Sequence, residues 1–216
     1  MIYKNLKSIF VRIYKTGTTS VLKALQNNQD SVDFKFKIYN KIFFDYLHLT
    51  KKKKFPKHLM VDTHSKAIDF RDFLKKEYDE YFKFTFVRNP YDWQVSLYHF
   101  MKQDSAHDQH YLVKDMNFDD YIYWRCNHEY ELQKDFVVDE NGNLIVDFVG
   151  KFENLSQDFK IISKKLDLGL MLSEKKFKSS KHKHYSAYYT KKLKSAVDKV
   201  FHDDFEFFEY KKEIII

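Results

Sequence analysis

Three short apolar runs along the chain are each followed by apolar residues at helical spacing. The runs cover residues 9–13, which Arg12 interrupts, residues 59–61 and residues 84–87. The helical patterns that follow them consist of Val21, Leu22 and Leu25; of Ala67, Phe70, Phe73 and Leu74; and of Trp93, Leu97, Phe100 and Met101. A strand followed by a helix, repeated along a chain, is typical of an α/β fold. We therefore predict a central parallel sheet flanked by helices.

Local signals sharpen several of these elements. Ser65 and Asn89 can each cap the helix that follows, and Pro90 suits the first position of the second of these helices. Residues 135–149 form two β-rich runs about a Glu-Asn-Gly-Asn turn, which predicts a hairpin. Further helix caps are predicted at Asn154 and Thr190.

The composition is that of a globular protein with a basic surface. The 216 residues are 44% apolar, enough for a proper core, so we predict a single domain over residues 1–216. The formal net charge of +7 favours anionic partners such as nucleotides, nucleic acid, acidic glycans or anionic lipids, without choosing among them. No apolar run reaches the roughly 20 residues of a membrane span, and the single Cys126 cannot form an internal disulfide. A reduced, cytoplasmic setting is the simplest expectation.

The polar turn after the first apolar run has the composition of an anion-binding loop. A helix that begins there directs unpaired N–H groups and the positive end of its dipole at the loop. Lys15 adds a full charge, Gly17 permits close approach of the backbone, and hydroxyl groups follow. The candidate binding residues are Lys15, Thr16, Gly17, Thr18, Thr19 and Ser20. The stretch suits a phosphate-like group, and a loop without a ligand is the alternative.

This loop does not match the ATP-binding loop of the kinases. That loop has the pattern G-x-x-x-x-G-K-[ST], with two glycines before the lysine. The glycines of this chain stand at positions 17, 142, 150 and 169, so none precedes Lys15. The nature of the ligand therefore depends on what lies elsewhere in the chain.

A second anion site is predicted where the third apolar run ends. Arg88 stands at the tip of the strand, and Ser96 lies about two turns into the following helix. Both can converge on one phosphate, Arg88 through a charge-assisted fork and Ser96 through its hydroxyl. The alternative is that Arg88 only pairs with a nearby acid such as Asp92.

Both stretches resemble donor-binding motifs of the sulfotransferases. The sequence K-T-G-T-T at residues 15–19 resembles their 5′-phosphosulfate loop, and F-V-R-N-P-Y-D at residues 86–92, followed by Ser96, resembles their 3′-phosphate segment. A weaker match, V-G-K-F-E-N-L, resembles a signature of the carbohydrate-type branch, with Lys151 in place of an arginine. Residues 204–210 resemble the terminal D-F-E-x-F-G-Y of the family, with Glu209 in place of the glycine.

This resemblance implies both a fold and an activity. The fold would be P-loop-like, with three layers and a central parallel sheet. The activity would move a sulfuryl group from the co-substrate 3′-phosphoadenosine 5′-phosphosulfate to a hydroxyl of an acceptor, a carbohydrate or glycolipid. No metal is expected, because lysine and arginine already meet the charge of the donor. The activity also implies no nucleic-acid partner.

The resemblance also implies roles for single residues. Lys15 would stabilise the leaving phosphate, and His64, between the two motifs, would take the proton of the acceptor. The cytosolic branch has a lysine two residues before that histidine where this chain has Asp62, so Asp62 is an alternative base. Family members commonly hold the nucleotide with a basic segment near the C-terminus, here residues 175–184, where a solvated loop is the alternative. Its candidates are Lys178, Lys181 and Lys183.

Hypotheses from other classes stay open at this point. A P-loop kinase-like nucleotide enzyme would share the strand-loop-helix core, and a non-catalytic binder of anionic glycans or nucleic acid would share the basic charge. The spacing of the middle histidines and Cys126 does not match a zinc framework. The sequence names neither the acceptor nor the oligomeric state.

Overall fold

The computed structural model describes residues 1–26, 61, 63–173 and 182–214, and it contains a four-stranded sheet in the order β1-β2-β3-β4. The strands are β1 (Ile2–Tyr3), β2 (Ser8–Phe10), β3 (Phe82–Val87) and β4 (Phe148–Lys151). β2, β3 and β4 are parallel, with Phe10 opposite Phe84 and Phe86 opposite Gly150. β1 is antiparallel to β2 at one edge. The predicted α/β fold is therefore confirmed, with a sheet that is mostly rather than wholly parallel.

Helices connect and cover these strands. They are α1 (Thr18–Ala24), α2 (Ala67–Leu74), α3 (Pro90–Gln103), α4 (His110–Val113), α5 (Phe118–Asn127), α6 (Leu155–Lys165), α7 (Lys191–Val200) and α8 (His202–Phe207). Short 3₁₀ turns cover Lys75–Glu80, Lys134–Phe136, Phe152–Asn154 and Tyr185–Tyr188. Within the described ranges, no helix is long and apolar enough to cross a membrane.

The alternation of side chains along the strands divides the core into two layers. Phe10, Phe84 and Phe86 pack with apolar residues of α1 and α6 in one cluster. Ile9 and Val87 belong to a second, larger cluster with residues of α2, α3, α5 and α7. Because neighbouring strand residues point to opposite faces, the two clusters lie on the two sides of the sheet. The result is the predicted arrangement of helix, sheet and helix.

Helix α3 is the central helix of the larger layer. The Asn89 side chain accepts a hydrogen bond from the Tyr91 amide at 3.0 Å, and Pro90 fills the first helical position, both as predicted. The buried residues of α3 are not confined to the predicted apolar stripe, because polar Gln94 and Ser96 are also buried, at 0% and 2% exposure. This helix therefore carries polar groups into the interior beside the ends of the strands.

Several local predictions were wrong in detail. Helix α2 is capped at Lys66, whose amide donates to the Asp69 carboxylate, and not at Ser65. Phe73, which was expected on the buried apolar stripe of this helix, has a side chain that is 40% exposed. The predicted hairpin is reduced to a turn and one bridge, between Val138 and Leu144, because the second run continues into β4.

Of the two remaining cap predictions, one is confirmed and the other is wrong. The Thr190 side chain caps α7 as expected, whereas Asn154 precedes α6 without a side-chain bond. Of the run at residues 59–61, only Val61 lies within the described residues. The single-domain and cytoplasmic assignments stay predictions.

Candidate active site at the ends of two parallel strands

The chain leaves β2 through a tight loop that ends at the start of α1. Lys15 has a φ of 63° and Gly17 a φ of 86°, so two residues of the loop adopt the left-handed conformation. The buried Thr16 hydroxyl donates to the carbonyl of Ile13 at 2.8 Å. Since that hydroxyl proton is already donated, any contact of Thr16 with a ligand would involve its backbone. The first amides of α1, including that of Thr18, have no carbonyl partner within the helix.

Gly17 is required at its position by two independent features. Its positive φ disfavours any side chain, and the site is also closely packed from the far side. A Cβ added there would lie 2.7 Å from the Leu155 side chain and 3.2 Å from that of Phe152. Both neighbours belong to the segment after β4 that resembles the carbohydrate-type signature. That segment therefore supports the loop from beneath.

Two side chains, one from α3 and one from the residue that follows β3, donate hydrogen bonds to carbonyls of this loop. The indole nitrogen of Trp93 donates to the carbonyl of Tyr14 at 2.7 Å, and the Tyr14 ring stacks on the indole at 5.0 Å. Arg88 Nη1 donates to the carbonyl of Lys15 at 3.1 Å. The Tyr14 hydroxyl accepts from Arg125 at 3.0 Å, and burial raises the pKa of Tyr14 above its usual range. The loop is thus held through its carbonyl groups.

Arg88 is the side chain through which the two predicted anion sites meet. Its Nε and Nη2 both lie 2.7 Å from one carboxylate oxygen of Asp92, and the Phe152 ring covers the guanidinium carbon at 4.0 Å. The pairing with Asp92 is therefore present, but it does not exclude a ligand. A guanidinium has five N–H groups, and one N–H on each terminal nitrogen takes part in none of the bonds named here. The side chain is 8% exposed, so its orientation is fixed by the surrounding residues.

We call the points where the chain leaves β2 and β3 the β2 exit and the β3 exit. The peptide groups at the β3 exit are held by hydrogen bonds, as the Arg88 side chain is. Gln133 accepts from the Arg88 amide and donates to the Arg88 carbonyl, both at 2.8 Å. The next amide, that of Asn89, donates to Glu153 at 2.8 Å. Asp204 in turn accepts from the Gln133 amide at 3.0 Å. Together these contacts form a network around the turn between β3 and α3.

One face of α3 lies along both strand exits. Asp92, Ser96 and Phe100 follow one another at intervals of four residues, so they lie on one side of the helix, which we call the site face. Arg88 is bound to Asp92 at one end, and Lys15 Nζ lies 4.3 Å from the centre of the Phe100 ring at the other. The axial distance from Asp92 to Phe100 is about 12 Å. Ser96 lies between the two cations.

His64 lies beside the residues that directly follow β2. Its Nδ1 is 3.1 Å from the carbonyl of Arg12, and its ring meets the Tyr14 ring edge to face at 5.9 Å. Since a carbonyl only accepts hydrogen bonds, Nδ1 carries the proton in this contact. Nε2 of the neutral ring is then a proton acceptor, and the side chain is exposed. Asp62, the alternative base, lies outside the described residues.

Lys183 is the member of the predicted basic set that falls within the described residues; Lys178 and Lys181 lie outside them. It lines an open cleft with His182, Ala187 and Tyr188. The Tyr188 hydroxyl and His99 Nε2 are hydrogen-bonded at 2.8 Å. Because His99 follows Ser96 by three residues on α3, the cleft adjoins the site face.

The described residues of this region contain neither a metal-binding cluster nor an ionised thiol. Among the described residues, no group of three or more His, Cys, Asp or Glu side chains is arranged to hold a metal ion. Burial raises the pKa of the Cys126 thiol to about 11, so it stays protonated at neutral pH.

Sequence reasoning missed the residues that hold the two exits. Trp93 carries only the signal of an apolar helix position, and Gln133 and Arg125 lie in a polar stretch without a local signal. For Asp204 and Tyr210 a signal existed, because both lie in the terminal segment that resembles the family. Glu153 lies in the V-G-K-F-E-N-L stretch, which resembles a signature of the carbohydrate-type branch but predicts no contact for this side chain.

A known protein family matches nearly the whole length of the chain. The model of the Sulfotransferase family matches residues 1–211. No curated protein and no solved structure matches the chain. The match covers both strand exits, His64 and the C-terminal residues that contact the β3 exit.

Proposed function

The chain belongs to the sulfotransferase family, whose members transfer sulfuryl groups, and from that premise we propose both its donor and its acceptor class. The donor is 3′-phosphoadenosine 5′-phosphosulfate, bound at the exits of β2 and β3. The acceptor is a hydroxyl group, on a carbohydrate or glycolipid. Lys15 and His64 are the proposed catalytic residues.

The observation that carries the proposal is the bond of Arg88 Nη1 to the carbonyl of Lys15, at 3.1 Å. Arg88 and Lys15 lie 73 residues apart in the chain, and this bond brings the two predicted anion sites next to each other, which supports a single site. A ligand that fits must carry anionic groups at two separated positions. A nucleotide with a 3′-phosphate and a 5′-phosphosulfate has that charge distribution.

The residues present fit such a donor. At the β2 exit, Gly17, Thr18, Thr19 and Ser20 provide backbone amides and hydroxyls, with Thr16 contributing through its backbone. At the β3 exit, Arg88 has two N–H groups to offer, and the hydroxyl of Ser96 lies one turn beyond Asp92 on the same helix face. When bound, the donor supplies an activated sulfuryl group and a phosphate leaving group.

Catalysis by this chain would consist of positioning and charge stabilisation. The bond from the acceptor oxygen to sulfur forms as the bond from sulfur to the phosphate oxygen breaks. Lys15 Nζ would stabilise the negative charge that develops on the leaving phosphate. The Phe100 ring, 4.3 Å away, holds this ammonium group near the loop without neutralising it.

His64 would remove the proton of the acceptor hydroxyl. Its Nδ1 is engaged with the Arg12 carbonyl, so in the neutral ring Nδ1 carries the proton and Nε2 is the proton acceptor. The edge-to-face contact with Tyr14 holds the ring next to the loop. The proton would pass from the acceptor oxygen to Nε2 as the new S–O bond forms.

The carbohydrate class is supported by the segment after β4. This is the stretch that resembles the carbohydrate-type signature, and it contacts both exits: Leu155 and Phe152 lie against Gly17, and the Phe152 ring covers Arg88. An acceptor panel of oligosaccharides, glycolipids and small alcohols tests this part of the proposal. Mass spectrometry should detect sulfuryl addition on a sugar hydroxyl, and transfer only to small alcohols would contradict it.

Thermal unfolding in the presence of nucleotides tests the donor. A ligand at one hundred times its Kd stabilises the folded state by about 2.7 kcal/mol, which for this size of protein raises Tm by about 5–10 °C. We expect 3′-phosphoadenosine 5′-phosphate to give this shift, and Arg88→Ala to reduce it. Arg71→Ala, which removes an arginine paired with Glu140 at the surface, is the control.

The same titration separates the other classes of function. Stabilisation by ATP and Mg²⁺ but not by the 3′-phosphorylated nucleotide would replace the proposal with a kinase-like enzyme. Glycan binding that persists in Lys15→Ala and Arg88→Ala, without sulfuryl transfer to any acceptor, would indicate a non-catalytic binder.

A further inference from the structure

The C-terminal residues 204–210 reach the β3 exit at two separate points. We propose that Asp204 and Tyr210 are positioning residues for donor binding, which orient Arg88 from two sides without touching the donor. This inference rests on the proposed function, because Arg88 is the group that would bind the 3′-phosphate. Nothing in the chemistry of the reaction requires either residue, so their role follows from the contacts of this structure.

The first arm runs from Asp204 to the peptide groups of Arg88. Asp204 is fully buried, and its two carboxylate oxygens accept from the amides of Gln133 at 3.0 Å and Lys134 at 2.8 Å. This fixes the backbone from which the Gln133 side chain projects. That side chain then binds both the amide and the carbonyl of Arg88. The side-chain amide of Gln133 thus makes the two hydrogen bonds that the backbone of a neighbouring strand would otherwise make to Arg88.

The second arm runs from Tyr210 to the Asn89 amide, which lies in the same peptide group as the Arg88 carbonyl. The Tyr210 hydroxyl donates to Glu153 at 2.9 Å, and the other oxygen of Glu153 accepts from the Asn89 amide at 2.8 Å. Burial, with Glu153 beside it, raises the pKa of Tyr210, so the hydroxyl keeps its proton at neutral pH. Lys151 lies 4.6 Å from the centre of the Tyr210 ring and covers it.

The two arms meet at the peptide group between Arg88 and Asn89, because Gln133 binds its carbonyl and Glu153 binds its N–H, and together they determine where the Arg88 guanidinium points. The contacts of that guanidinium with Asp92 and the Lys15 carbonyl are short, so a rotation of the turn would break them. Glu153 also adjoins Phe152 in the chain, and the Phe152 ring lies on the guanidinium. Loosening either arm should therefore lower the affinity for the donor, although no group that touches the donor is removed.

A double-mutant experiment distinguishes positioning from general stabilisation. Asp204→Asn and Tyr210→Phe remove one acceptor and one hydroxyl, with Asp115→Asn and Tyr111→Phe at exposed positions as controls. The Kd of 3′-phosphoadenosine 5′-phosphate is measured by calorimetry in the parent and in Arg88→Lys. A lysine has a flexible stem, so its ammonium group depends less on the peptide orientation.

We expect each variant to raise Kd by about 5–10-fold in the parent and by less than about 2-fold in Arg88→Lys, because residues that act through one another are not additive. The controls should leave Kd unchanged in both. Equal increases in both backgrounds would overturn the inference. So would a lowered Tm with an unchanged Kd, which is the result of a purely structural role.

Hydrogen exchange provides a readout that does not need the nucleotide. If the parent does not bind 3′-phosphoadenosine 5′-phosphate, the proposed function fails, and exchange still tests the two arms. Faster exchange of the Arg88 amide in Asp204→Asn and of the Asn89 amide in Tyr210→Phe would support them. Unchanged exchange at both amides would overturn the inference.

Discussion

The exits of β2 and β3 lie side by side at one end of the sheet, yet their backbones are fixed in opposite ways. At the β2 exit, the donors Thr16, Trp93 and Arg88 bind three carbonyl groups of the loop. At the β3 exit, Gln133 and Glu153 accept hydrogen bonds from consecutive amides of the turn. The first arrangement holds three carbonyls, and the second holds two amides together with the Arg88 carbonyl, to which the Gln133 side chain donates.

This difference determines what each exit has left to offer an anion. With its carbonyls engaged, the β2 exit can present backbone N–H groups, supplemented by Lys15. The β3 exit has its N–H groups engaged, so it can present only side chains, Arg88 and Ser96. Changes of the backbone should therefore damage the β2 exit most, and changes of side chains should damage the β3 exit most.

Replacing Gly17 with alanine should have the largest effect on stability. The left-handed φ and the clash with Leu155 together should reduce the free energy of unfolding by about 2–4 kcal/mol. Gly142 is the matched control, because its φ of 81° is similar but a Cβ there meets nothing within 4 Å. Gly142→Ala should cost only about 1 kcal/mol in urea unfolding. Equal losses would mean that close packing beneath the loop contributes nothing.

Truncating Lys15 and Arg88 separately should distinguish transfer from binding. Lys15→Ala should lower kcat by about 10²-fold or more, because the charge that it stabilises develops only as the S–O bond breaks. Arg88→Ala should raise the donor Kd by about 10–100-fold, because a charge-assisted bond to the bound phosphate is lost. Steady-state kinetics and calorimetry measure the two effects, with Lys160→Ala, at an exposed position, as control. Similar, small effects of both variants would contradict the assigned roles.

The contrast between the two exits also explains which parts of the site were predictable. The apolar run of β3, the Asn89 cap and Pro90 are local signals, and they predicted the end of β3 and the start of α3. The contacts of Gln133 with Arg88 and with Asp204 join residues 45 and 71 positions apart, and no local pattern encodes them. Local sequence patterns therefore mark the proposed anion-binding groups, whereas no such pattern marks the distant residues that contact them.

Asp204 should make the stability of the β3 exit depend on pH. Burial raises the pKa of its carboxyl to about 7 from an ordinary value of 3.8. Because the folded state then holds the proton more tightly than the unfolded chain, this group favours folding at low pH. Its contribution decreases as pH rises from about 4 to about 7, by at most about 1.4 kcal/mol per pH unit.

The variant Asp204→Asn lacks this titrating carboxyl group. Its free energy of unfolding is therefore compared with that of the parent at each pH. The difference in the free energy of unfolding between parent and variant should change across that pH range and be constant above it. Other titrating groups are present in both proteins, so their contributions cancel. Parallel stability curves for parent and variant would show that Asp204 titrates alike in the folded and unfolded states.

Two buried threonines allow the finest test of how the β2 exit is held. Thr16 donates to the carbonyl of Ile13 at 2.8 Å within the loop, and Thr85 donates to the carbonyl of Val11 at 2.7 Å in the sheet. Both are fully buried, so Thr16→Val and Thr85→Val should each reduce the free energy of unfolding by about 1 kcal/mol.

Only the first of these two bonds lies in the loop that would bind the donor. Thr16→Val should therefore raise the Kd of 3′-phosphoadenosine 5′-phosphate by about 2–3-fold, less than the roughly tenfold expected when a direct hydrogen bond is lost. Thr85→Val should leave this Kd unchanged. If Thr16→Val raised this Kd by more than about tenfold, the Thr16 hydroxyl would have to contact the donor directly, contrary to its hydrogen bond with Ile13. Equal effects of both substitutions on Kd would mean that the carbonyl contacts stabilise the sheet and not the loop.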